Sequence, residues 1–109
     1  MASISNLTID QGTTFNATIS VVDDTGTAKN LTGFTGRAQL KRSYYTNTNT
    51  AFTVTIDNPT EGEIDLSLTD TQTSALKAGR YVYDVEIVTT NYVERVVEGI
   101  ITVYPEVTK

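Results

Sequence analysis

Residues Leu68 to Ile87 read "LTDTQTSALKAGRYVYDVEI" and hold a helix start, a helix stop and a tyrosine set just ahead of an alternating strand. Thr69 and Gln72 have the spacing at which each side chain satisfies a backbone N–H of the first helical turn. Ala75, Leu76 and Lys77 continue as helix formers, and Gly79 suits the left-handed position just past a helix end. This predicts one short helical turn near residues 70–77. Behind it, Tyr81, Tyr83, Val85 and Ile87 alternate with Val82, Asp84 and Glu86, the period-two mark of a strand with one buried face. A brief helical corner feeding such a strand is a joint between two layers, which the rest of the chain must supply.

It supplies them with extended segments. A first strand runs around Ile4 to Ile9, and after the break at Gln11-Gly12 the residues Phe15, Ala17, Ile19 and Val21 alternate with Asn16, Thr18 and Ser20. "DDTG" at Asp23 to Gly26 suits a tight turn, and "KNLTG" follows as an irregular link. Phe34, Ala38 and Leu40 mark a strand that continues through Tyr44-Tyr45, with Gly36 read as a bulge or a close approach. "TNTNT", Thr46 to Thr50, is a loop. Phe52, Val54 and Ile56 alternate, "NPTEG" turns the chain, and Ile64, Leu66 and Leu68 return as the second arm of a hairpin. The last strand places Val97, Gly99, Ile101 and Val103 on one face and stops at Pro105. About seven strands with turns roughly every 8–12 residues give an all-β sandwich of antiparallel strands, one domain spanning residues 1–109.

Composition bounds the chemistry. With 109 residues and 39% hydrophobic content, the chain has material for one core. It contains no cysteine and no histidine, so disulfides, thiolate metal sites, thiol nucleophiles and the usual general base near neutral pH are excluded. Ser5, Ser43 and Ser74 accordingly have no triad partner. A formal charge of -5 argues against a phosphate-backbone partner. No apolar run approaches the roughly 20 residues that span a bilayer, and "MASISNLTIDQG" lacks the basic start and apolar centre of an export signal. The expectation is a chain made without export, with neither nucleic acid nor membrane as partner.

"LKAGRYVYDV" resembles the corner of immunoglobulin-like domains, where a short helix crosses between sheets and a tyrosine bonds back to it. Tyr81 stands at the corner position and Tyr83 where those domains have a disulfide cysteine; the other reading of Tyr81 is a generic strand aromatic. Lacking the cysteine pair and any tryptophan, the chain shares the architecture alone. Three longer stretches, "DDTGTAKNLTGFTGRAQLK", "PTEGEIDLSLTDTQTSALKAGRYVYDVEI" and "RVVEGIITVYPEVT", resemble small virion structural proteins of tailed bacteriophages, notably those infecting cyanobacteria. They are also similar in layout to the N-terminal domain of phage upper baseplate proteins. The residues carrying the likeness are Asp24, Gly26, Leu31, Gly62, Leu66, Leu68, Gly79, Tyr81 and Gly99, which keep a fold rather than perform catalysis. The resemblance implies a virion protein with an immunoglobulin-like fold, without enzymatic activity, cofactor or metal.

Candidate sites each have two readings. Asp23-Asp24 and the group Asp57, Glu61, Glu63 and Asp65 supply oxygens for calcium, yet solvated turns account for them equally. Lys41, Arg42, Tyr44 and Tyr45 combine cations with aromatics as interface centres do, or else guard a sheet edge from pairing; Tyr92 and Tyr104 are weaker candidates of the same kind. Two adjacent tyrosines in one strand would face opposite ways, leaving one of them outside the core. Thr69, Gln72, Gly79 and Tyr81 are assigned to the structural corner. The expected function is attachment to other virion proteins, or to further copies of the chain, through the outer surface of a rigid module in a capsid-decoration, collar or baseplate position. The alternative is a carbohydrate- or cell-surface-binding module built on "TNTNT" and the nearby tyrosines.

Overall fold

Two facing sheets enclose one core in the computed structural model, which describes residues 3–23, 25–45 and 49–107. Asp24 and most of the predicted "TNTNT" loop, residues 46–48, lie outside the described residues. In chain order the strands are β1 (Ser3–Ile4), β2 (Leu7–Asp10), β3 (Phe15–Ser20), β4 (Thr35–Lys41), β5 (Thr50–Ala51), β6 (Thr53–Thr55), β7 (Glu63–Leu68), β8 (Gly79–Thr89) and β9 (Tyr92–Tyr104). The larger sheet has the order β1-β9-β8-β4-β5, with β2 also on β9, and the smaller is β3-β7-β6. The fold is an all-β sandwich with mixed sheets, β3, β7 and β6 in one layer facing β4, β8 and β9 in the other.

The alternating residues meet between the layers. Ile19, Ile64 and Leu66 from the smaller sheet pack with Leu40, Val85 and Ile101 from the larger. Fully burying side chains of this size is worth about 1.5–3 kcal/mol each, so this interface carries the stability of a chain without disulfides. The link after β3 is also tied in: Leu31 is completely buried and donates its N–H to the Pro59 carbonyl.

Several expectations need correction. The opening strand is not antiparallel to its neighbour: β1 and β2 run parallel to β9 in one continuous register, Ser3 opposite Val97 and Leu7 opposite Ile101. It is interrupted at Asn6, whose side-chain Oδ1 accepts the Ile100 N–H in place of a backbone carbonyl. The run around Phe52 is two strands on different sheets. β5 pairs with β4, Phe52 donates its N–H to the Ala38 carbonyl, and from Thr53 onward the chain pairs with β7 in the expected hairpin. Alternation survives the crossing because Phe52 stays in the shared interior, its ring 6.0 Å from Phe15 and 6.3 Å from Tyr83.

The bulge lies in the β8–β9 ladder after Val85, not at Gly36, which pairs regularly with Ile87. The extra residue on β9 lets Val96 and Val97 both turn inward, against simple alternation. Gly36 is instead a close approach, since a Cβ there would come 2.6 Å from the Val54 side chain. β4 ends at Lys41, so Tyr44 and Tyr45 stand in a turn beyond the strand and both are exposed.

Candidate interaction surface

The helical corner is shorter than its helix formers suggest: α1 spans Asp70–Ser74. Thr69 caps it by accepting the Gln72 N–H, and the Gln72 side chain accepts the Thr69 N–H at 2.9 Å. Thr73, the buried polar residue of this turn, donates its hydroxyl to the Thr13 carbonyl at 2.8 Å and fastens α1 to the β2–β3 turn. Gln11 reaches the same region, its Nε2 donating to the Leu76 carbonyl while its Oε1 accepts the Glu106 N–H. Sequence reading misses both ties, because a lone threonine or glutamine gives no signal of a partner some 60 or more residues away.

Tyr81 closes the corner, its hydroxyl donating to the Lys77 carbonyl at 2.7 Å while its ring sits in the core. Gly79 does not cap α1; it opens β8 opposite Val103 with φ +134, and a Cβ there would come 2.6 Å from the Arg42 guanidinium. Arg42 lies over the Tyr81 ring at 5.0 Å and points Nη1 toward the Ala78 carbonyl. Of the basic pair at residues 41 and 42, the arginine is thus bound into the corner.

The six predicted interaction residues do not form one patch. Lys41 ends β4 in register with Val82, and Tyr44 shares a cleft of about 240 Å³ with Lys41, Val82 and Asp84. Tyr45 is almost wholly exposed. Tyr104 ends β9 beside Asp10, at the same end of the sandwich as Gly79. Tyr92 stands at the opposite end, where β9 begins; its ring meets Phe34 edge-on at 6.1 Å and its hydroxyl donates to Glu94 at 2.6 Å. Another cleft of about 460 Å³ opens below the corner between Leu40, Leu76 and Tyr81, rimmed by Lys41, Arg42 and Lys77.

The outer face of the larger sheet is crossed by rows of charge. Arg37 bonds Glu86 at 2.6 Å and Arg95 pairs with Asp84 at 3.3 Å. Partial burial holds the Asp84 carboxyl above the usual carboxylate range despite that arginine. The acidic clusters hold turns and ladders: Asp23 Oδ1 accepts the N–H groups of Thr25 and Thr27, Asp65 accepts the Thr18 hydroxyl, and Glu63 accepts from Asn58. Asp57 lies against Asp65, and this shared hydrogen bond between like carboxyls raises its pKa above 3.8. Among the described residues, no three acidic side chains converge on one point. Nor is any described helix long and apolar enough to cross a membrane.

No protein-family model and no curated protein matches this sequence. Solved structures do share its fold. The N-terminal domain of phage TP901-1 ORF48 is similar over 91% of this chain and 84% of its own, with a TM-score of 0.62 at 11% identity. The Listeria monocytogenes protein InlP is similar over 94% of this chain, with a TM-score of 0.52 at 17% identity, and the match spans 28% of that protein. At such identities the likeness is one of fold.

Proposed function

We propose that this chain is a non-enzymatic structural protein of a tailed-phage virion, a rigid module held to neighbouring virion proteins by its outer surface. The observation that carries the reading is the likeness over 91% of the chain to a phage domain, which adds a fold match to the sequence resemblance. Chemistry is consistent with it: the chain has neither histidine nor cysteine, and on the outer face of the larger sheet Arg37 and Arg95 are paired with Glu86 and Asp84. A module of this kind works by shape and edge complementarity. Its surfaces at the corner end, around Tyr44, Tyr45 and Tyr104, are the first candidates for contact with a neighbour.

Mass spectrometry of purified particles from an infected host tests this. The expected result is the chain in many copies, retained through high-salt washing. Absence from particles, together with retention on a glycan array, would replace this reading with that of a surface-binding module.

A further inference from the structure

The chain treats the lateral edges of its sandwich differently. β5 and β6 are two and three residues long and belong to one crossing segment. The β1–β2 edge is broken at Ser5-Asn6, and at its end the Asp10 carbonyl is occupied by the N–H and hydroxyl of Thr13. Among the described edges, β3 alone presents six consecutive residues, "FNATIS", without charge, proline, glycine or bulge. Exposed edges normally carry one of these protections against pairing with another chain.

The register says which groups are on offer. Val21 donates its N–H to the Gly62 carbonyl, continuing the β3–β7 pairing in which Ile19 faces Ile64 and Phe15 faces Leu68. Bonded and non-bonded positions alternate along an antiparallel ladder, so the odd-numbered residues of β3 are bonded to β7. Asn16, Thr18 and Ser20 therefore point their N–H and C=O groups away from the sheet, and their side chains are exposed on its outer face.

We propose that this edge pairs with the same edge of a second copy about a two-fold axis at Thr18, joining two three-stranded sheets into one of six strands. An axis at Ala17 or Ile19 would pair only two of the three outward-facing residues with one another, and one at Asn16 or Ser20 would leave still more of the strand unpaired. The axis at Thr18 sets Thr18 opposite Thr18 and Asn16 opposite Ser20, all uncharged hydrogen-bonding pairs. On the inner face it sets Ala17 opposite Ile19 and Phe15 opposite Val21. Self-pairing is favoured by neutrality: in a chain of net charge -5, this strand opposes no like charges when it meets its own copy. The nearest acid on the ladder, Asp65, would sit three strand spacings from its counterpart, about 14 Å, beyond the screening length of about 8 Å. The contact is one of those the virion reading calls for, but it stands or falls separately.

Because the chain has no cysteine, a single engineered thiol reports the register. Directly opposed bonded residues have Cα atoms about 5.5 Å apart, within disulfide reach. Under mild oxidation Thr18→Cys is expected to cross-link to itself at least tenfold faster than Asn16→Cys or Ser20→Cys alone, while a mixture of those two cross-links to each other. Sedimentation velocity is expected to show a concentration-dependent shift to dimer that Thr18→Lys abolishes and Ser67→Lys, on the central strand of the same face, preserves. Equal cross-linking rates at residues 16, 18 and 20, a chain that stays monomeric at all concentrations, or a dimer that survives Thr18→Lys would overturn the proposal. Should Thr18→Lys fail to fold, the cysteine rates decide alone. A dimer missing from particles would sink the virion reading and leave this one intact; a particle protein that is monomeric in solution would do the reverse.

Discussion

The hydroxyl of Tyr83 donates to the carbonyl of Ser5, reaching past Gly99, its partner on β9. The position that resembles a disulfide cysteine is thus filled by a phenol whose ring packs on Phe52 and whose tip pins the break between β1 and β2. A Cβ at Gly99 would stand 2.2 Å from that same Ser5 carbonyl, so the missing side chain makes the bond possible. Tyr83→Phe is expected to cost about 1 kcal/mol, the net worth of one hydrogen bond. Gly99→Ala is expected to cost more, because backbone must move. Chemical denaturation of the two variants checks the order.

At the corner, Tyr81→Phe removes the bond to Lys77 and keeps the ring under Arg42. The expected loss is again about 1 kcal/mol, with no change in attachment to particles. A melting curve matching the parent would show that the hydroxyl contributes nothing there.

Thr73→Val tests the tie between α1 and the β2–β3 turn. Valine matches threonine in shape and fills the same buried site, but leaves the Thr13 carbonyl without its donor in a part-buried setting. The expected cost is about 1–3 kcal/mol, and hydrogen exchange should quicken first in residues 11–14 and 70–76.

Two surface aspartates should give pH dependences of opposite sign. The hydrogen bonds from Thr25 and Thr27 hold Asp23 below the ordinary value of 3.8, so its contribution is present above 3.8 and is lost as pH falls through the lower folded-state value. Asp23→Asn should lower the melting temperature at neutral pH, and the gap should close in acid. Asp57 is raised above 3.8 by Asp65, so the folded state loses stability as pH rises from 3.8 through the raised value. Asp57→Asn should therefore raise the melting temperature at neutral pH and have no effect in strong acid. Parallel melting curves from pH 2 to 7 measure both slopes.

The alternating runs place most of the core because burial of one strand face is a local property: Ile19, Leu66, Val85 and Ile101 are all read from their own neighbours. Pairing is not local. Nothing within residues 3–10 announces a parallel partner about 94 positions away, and nothing around Phe52 says that its two sides bond to different sheets. Val96 escapes because a bulge breaks the period on which the inference rests. In the candidate surface, residue types alone cannot separate Arg42, held over Tyr81, from Lys41 beside the exposed turn, nor place Tyr92 at the far end from Tyr44. The turn before Leu31 is held by Asp23, whose carboxylate a tandem "DD" leaves indistinguishable from its neighbour's.

The parallel run of β1 and β2 along β9 has a mechanical meaning. Tension applied between Ser3 and Tyr104 would pull neighbouring strands past each other lengthwise, so the bonds from Ser3–Val97 to Asp10–Tyr104 would be strained together rather than parting one at a time. A link loaded in shear resists more force than one that unzips, and a pulling experiment between those ends should record a single high rupture peak.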